Sequence, residues 1–134
     1  MVEMNALYTG EKHCELTHGP SGAVISTDAP KDNNGRGEAF SPTDLLAASL
    51  GVCMLTVMGI QADQKGWDMK GASAKVIKEM AANPRRVSKI TVHIQMPAHL
   101  NTETRSHLEK TALSCPVKYS LHPDIVLDIK FSYS

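Results

Sequence analysis

The chain has 134 residues, enough for one domain that buries roughly two-thirds of the surface its unfolded form exposes. Lys plus Arg and Asp plus Glu both number 14, so no overall charge recommends nucleic acid or an anionic membrane as a partner. Three cysteines, Cys14, Cys53 and Cys115, form no CxxC pair and leave an odd number, unlike a secreted disulfide framework.

The N-terminal stretch carries an early Glu3 and no long apolar core, so it does not read as a secretory signal and the expected compartment is the cytoplasm. Residues 1–27 alternate as strands do, with Met4, Ala6 and Tyr8 in one register, Cys14 and Leu16 in a second, and Ala23, Ile25 and Thr27 in a third. Gly10 and the run from His18 to Gly22 separate these pieces, which predicts a meander of three short antiparallel strands. Cys14 reads as an inward residue of such a strand, a small core hydrophobe. From Asp28 to Phe40 the composition shifts to Asp, Asn, Gly and Pro, an extended loop in which Arg36 stands between Gly35 and Gly37.

The stretch from Ser41 to Gly66 organises the rest. Ser41 suits a helix cap, Pro42 the first helical position, and Asp44 the negative charge of a first turn, while Lys65 and Gly66 supply a terminating cation and a left-handed stop. Leu46, Leu50, Cys53, Val57 and Ile60 recur at spacings of four and three and are expected to line one face. Because Leu45, Ala47, Ala48, Val52, Leu55 and Met58 make the other faces apolar too, the helix is expected to be buried on most sides. The uncharged run 45–62 just reaches the length of a bilayer span, but Ser49, Gly51, Thr56, Gly59 and Gln61 dilute it, which favours a core helix over a membrane span. A helix roughly 36 Å long is hard for so small a domain to cover alone, and a homodimer that shares it is expected.

Two strands follow, one carrying Ala72, Ala74 and Val76 and the next Ile90, Val92, Ile94 and Met96, with Asn83-Pro84 as the hairpin turn. A second helix is predicted from Asn101 or Thr102 to Ser114, with Leu108, Ala112 and Cys115 on its buried face. Pro116 breaks it and opens a fresh turn through Leu121, leaving Cys115 at the cap, where exposed amides would stabilise a thiolate. Ile125 to Tyr133 is the closing strand. The order lacks regular βα alternation and predicts an α+β fold with mainly antiparallel sheets around a long central helix.

The six histidines are scattered without metal-site spacing, and no GxGxxG, P-loop, GxSxG or HExxH pattern occurs, so neither a metal nor an organic cofactor is expected. Cys53, in the middle of the long helix, is either packing or chemistry.

The segment SPTDLLAASLGVC (41–53), preceded by GRGEAF and followed by CPVKYSL (115–121), resembles the OsmC/Ohr family of osmotically inducible and organic-hydroperoxide-resistance proteins. The order of elements fits that family over essentially the whole chain, as a single OsmC-like domain over residues 1–134. The resemblance implies an intertwined α+β homodimer with two sites at the subunit interface, and thiol-dependent reduction of organic hydroperoxides. Cys53 matches the peroxide-attacking cysteine and Cys115 the resolving cysteine. Thr43 stands where the best characterised members carry glutamate, with Asp44 next to it, and the first arginine is Arg36; both departures resemble the more divergent OsmC-like branch.

The chemistry then needs a Cys53 thiolate, and a helix interior offers it little help, so a cation must stand near. Arg36 is the candidate, with Asp44 or Glu38 holding its guanidinium. Leu46, Leu50 and Val57 are the expected apolar lining, which would favour an alkyl or acyl hydroperoxide over hydrogen peroxide. An external dithiol, a lipoylated protein or a thioredoxin-like donor by family analogy, would reduce the disulfide. Two other readings compete: a non-enzymatic dimeric stress protein that binds a hydrophobic small molecule, and a redox sensor signalling through the same disulfide.

Overall fold

The computed structural model describes residues 1–134, which divide into two compact units, 1–46 and 47–134.

The N-terminal unit is the expected meander: β1 (Met4–Gly10), β2 (His13–His18) and β3 (Val24–Asp28) pair antiparallel in that order. Its first turn places Glu11 and Lys12 at positive φ, with the register slipping between Tyr8 and Gly10. The sheet has almost no apolar core of its own. Thr27, Asp28 and Ser41 are buried, whereas Leu7, Tyr8, Val24, Ile25 and Phe40 are exposed. After β3 the chain makes one 3-10 turn at Lys31–Asn33 and doubles back, the Gly37 N–H reaching the Ala29 carbonyl at 3.2 Å and the Asp28 N–H reaching the Phe40 carbonyl at 3.1 Å. Gly35 lets the two arms meet: a Cβ there would lie 1.8 Å from the Ala29 carbonyl oxygen.

The long helix α1 runs Pro42–Lys65. Its start is a reciprocal capping box, in which Ser41 Oγ accepts the Asp44 N–H at 3.0 Å and the Asp44 carboxylate accepts the Ser41 N–H at 2.9 Å. Gly66, at φ 72°, ends it as expected.

In the C-terminal unit, β4 (Ser73–Ala81) and β5 (Arg86–Met96) form an antiparallel hairpin whose turn contains the cis Asn83-Pro84 bond. The helices α2 (Thr102–Ala112) and α3 (Pro116–Ser120) then carry the chain back to β6 (Val126–Tyr133). Asn101 caps α2 by accepting the Thr104 N–H at 2.9 Å, and the helix stops short of the expected Ser114. Strand β6 pairs with β5 in parallel, Ile90 against Leu127 and Met96 against Tyr133. The second sheet is therefore mixed, while the other three pairings are antiparallel, so the pairing is mainly antiparallel as expected. A helical connection between two strands returns the chain to the starting edge, so the second strand runs the same way as the first. Tyr133 closes β6 onto α2, its hydroxyl donating to Glu109 at 2.5 Å with Arg105 stacked 4.1 Å over its ring.

The apolar core lies between α1, the β4-β5-β6 sheet and α2, with Leu50, Met54, Met58, Ile90, Ile94 and Leu108 fully buried. Each such side chain contributes roughly 1.5–3 kcal/mol relative to exposure. The buried line of α1 is Ala47, Leu50, Gly51, Met54, Met58 and Ala62, which corrects the face expected from Leu46 to Ile60. On a helix apolar all round, hydrophobicity cannot choose the face; close approach does. A Cβ on Gly51 would lie 2.6 Å from Val76, so the glycine marks where helix and sheet touch. Nor is α1 covered on most sides: Val52 is 63% exposed, Ile60 55% and Leu46 42%. By length and composition α1 could cross a membrane, but here its buried line packs on its own sheet.

Candidate redox site of paired cysteines

Two elements of the C-terminal unit bring Cys53 and Cys115 together. Along α2, Leu108 and Ala112 point into the core, and one further helical step drops Cys115 into the same place, where it is 0% exposed. Pro116 then stops the helix and starts α3, so Cys115 takes the cap position with extended backbone and its Sγ accepts the Lys118 N–H at 3.3 Å. Cys53 lies beside Met54 on α1, partly exposed and packed against the core. Its side chain is a neighbour of the Cys115 thiol, close enough to shift it, and neither cysteine is in a disulfide.

Burial pushes the Cys115 thiol up, and the neighbouring Cys53 adds to that, against the opposing pull of the Lys118 and Val117 amides. This reverses the sequence expectation of a stabilised Cys115 thiolate: two amides at a cap do not repay the loss of hydration around a fully enclosed sulfur.

The other expected site residues are placed as follows. Leu50 is wholly inside the core, Val57 is half-buried against it, and Leu46 is exposed. Asp44 serves the helix cap described above. In the N-terminal unit the Arg36 guanidinium pairs with Glu11 at 3.1 Å and more loosely with Glu38 at 3.9 Å. Glu11 was not foreseen, since nothing in a turn sequence marks which loop it will face. Cys14 is half-buried in β2, unpaired to another sulfur.

Sequence reasoning also passed over Asp28, the one charged side chain among the buried residues, at 2% exposure. His13 Nδ1 stands 2.6 Å from its carboxylate and the Glu38 N–H donates to it at 3.0 Å. These bonds, His13 foremost, hold the Asp28 carboxyl below the usual range despite its burial, with Arg36 adding a smaller pull. A hollow at the β4–β5 turn, lined by Met80, Ala81, Ala82, Asn83, Pro84 and Arg85, shares no residue with the cysteine site.

The OsmC-like protein family matches residues 35–130. Among solved structures, a Psychrobacter arcticus protein described as an osmotic stress induced and detoxification response protein is 45% identical, with 98% of this chain and 96% of that chain covered and a TM-score of 0.94. The organic hydroperoxide resistance protein OsmC of Legionella pneumophila superposes with a TM-score of 0.74 at 19% identity, over 100% of this chain and 96% of that one. An organic hydroperoxide resistance protein of Elizabethkingia anophelis does so at 0.78 and 14% identity, with the same coverage. At those two identities the likeness is one of fold. Comparison with curated proteins gives no match.

Proposed function

The chain belongs to the OsmC-like protein family, and from that membership we propose that it is a thiol-dependent peroxidase that reduces organic hydroperoxides. The observation that carries this reading is the contact between Cys53 and Cys115, two sulfurs far apart in sequence and neighbours in the fold. Two relatives named for organic hydroperoxide resistance lend it the substrate class.

In the first step the Cys53 thiolate attacks the terminal peroxide oxygen, the O–O bond breaks, and the alkoxide leaves as alcohol after taking a proton, with Cys53 becoming a sulfenic acid. Cys115 then displaces water from that sulfenic acid, forming the Cys53–Cys115 disulfide. Burial keeps the proton on Cys115, so in this sequence it waits as a thiol beside Cys53 until the sulfenic acid has formed. Arg36 is the proposed cation for the Cys53 thiolate, its guanidinium steadied by Glu11 and Glu38. Leu46 and Val57 are the proposed contacts for the alkyl chain, and Leu50 belongs to the enclosed core.

The working unit we propose is a cytoplasmic homodimer. The uncovered side of α1, with Val52, Ile60 and Leu46, and the exposed apolar residues of the first sheet are the surfaces a second copy would cover. An external dithiol completes the cycle, and no cofactor is required. Steady-state assays with a dithiol reductant test the reading: turnover of cumene hydroperoxide well above that of hydrogen peroxide is expected. No turnover of either, with intact fold, would favour a ligand-holding stress protein instead.

A further inference from the structure

We propose that the reductant attacks the Cys53 sulfur of the disulfide and not Cys115, so that the cycle returns through a mixed disulfide carried on α1. The inference rests on the peroxidase reading and specifies its reductive half.

Thiol–disulfide exchange requires the attacking thiolate to reach one sulfur from the side opposite the other. Cys115 offers no such path: its own chain encloses it completely, and a second copy could only add cover. Cys53 is partly exposed on α1, so its own chain leaves its sulfur a path that Cys115 lacks. Leaving-group strength points the other way. Burial raises Cys115, which makes it the poorer leaving sulfur and would direct attack toward it. Access decides, because leaving-group strength scales a rate whereas an enclosed sulfur gives the nucleophile nothing to strike. The Lys118 N–H, 3.3 Å from Cys115 Sγ, is placed to receive the charge that arrives there.

The step balances as follows. One thiolate of an external dithiol bonds to Cys53 Sγ, the S–S bond breaks, and its electron pair goes to Cys115 Sγ, which takes up a proton. The second thiol of the reductant, deprotonated, then attacks the outer sulfur of the mixed disulfide. The dithiol closes to its own disulfide and Cys53 is released as thiolate, the two electrons lost by the dithiol having reduced the one protein disulfide to two separate sulfurs.

The test uses the full chain, oxidised with diamide so that the disulfide does not depend on peroxidase activity. Brief exposure to 2-mercaptoethanol, acid quenching, alkylation and peptide mapping then locate the adduct. We expect it on Cys53, in about tenfold or greater excess over Cys115; an adduct chiefly on Cys115 overturns the proposal. As a second readout, Cys115 in a Cys53→Ser variant should resist 5,5′-dithiobis(2-nitrobenzoate) until the protein is unfolded, while Cys53 in a Cys115→Ser variant reacts. Equal reactivity of the two overturns it as well. If diamide forms no disulfide, this inference fails; if diamide forms it and cumene hydroperoxide does not, only the peroxidase reading fails.

Discussion

The enclosed sulfur of Cys115, capping α3, lies beside the side chain of Cys53 from the middle of α1. The two sulfurs therefore differ in their surroundings: Cys115 is enclosed and burial keeps its proton on, whereas Cys53 stands at the partly open edge of the core. Replacing them should separate the two halves of the reaction. Cys53→Ser is expected to lower turnover by at least about a thousandfold, and to abolish the first-turnover burst of hydroperoxide loss. Cys115→Ser should keep that burst, one equivalent per chain, and lose sustained turnover. A stopped-flow burst measurement on both variants checks this.

Alkaline pH should weaken the fold through two groups. Cys115 and Tyr133 both keep their protons longer in the folded chain than in the unfolded one, chiefly because burial penalises their charged forms. Above the ordinary thiol range the unfolded chain releases protons that the folded chain retains, so stability falls as pH rises. Urea midpoints measured from pH 7 upward should decline, and Cys115→Ala should flatten the first part of that decline.

Acid acts through Asp28. Its carboxyl titrates below the usual range in the folded chain, so its contribution is present above the ordinary carboxylate pKa and is lost as pH falls through the lower, folded value. An Asp28→Asn variant should lose part of this acid dependence and be less stable at neutral pH. Far-UV circular dichroism melts at pH 7 and pH 3 would show both effects.

Gly51→Ala sets two effects against each other. The added methyl improves helix propensity by about 1 kcal/mol, but it would sit 2.6 Å from Val76 and force helix and sheet apart, at a typical cost of about 1–3 kcal/mol. Overpacking is expected to win, with a lower Tm. Gly59→Ala, with nothing near its Cβ position, should raise Tm instead. Calorimetry on the pair isolates the contact from the propensity.

Much of this was legible in the sequence. The meander, the bounds of α1, the hairpin turn and the α3 cap all follow from turn formers, prolines and caps, which act locally. The motif around Cys53 and CPVKYSL identified the family. The buried face of α1 was not legible, because a helix apolar on every side carries no amphipathic signal and only the glycine–valine contact selects the face. The parallel pairing of β5 and β6 is a property of the connection between them rather than of either strand. Glu11, His13 and Asp28 escaped because ion pairs between loop and sheet have no sequence period.

Arg36→Ala should raise the pH at which Cys53 becomes reactive and slow peroxide reduction by about ten- to a hundredfold, if the guanidinium is the group that keeps the thiol ionised. Iodoacetamide kinetics against pH on the Cys115→Ser background give the shift directly. An unchanged profile would remove Arg36 from the proposed machinery.

The most direct test of the central claim is a thiol count on the native chain before and after one equivalent of cumene hydroperoxide. Loss of two thiols per chain, mapped to Cys53 and Cys115 and restored by a dithiol, is the expected result. Unchanged thiols, or oxidation of Cys14 in their place, would contradict it.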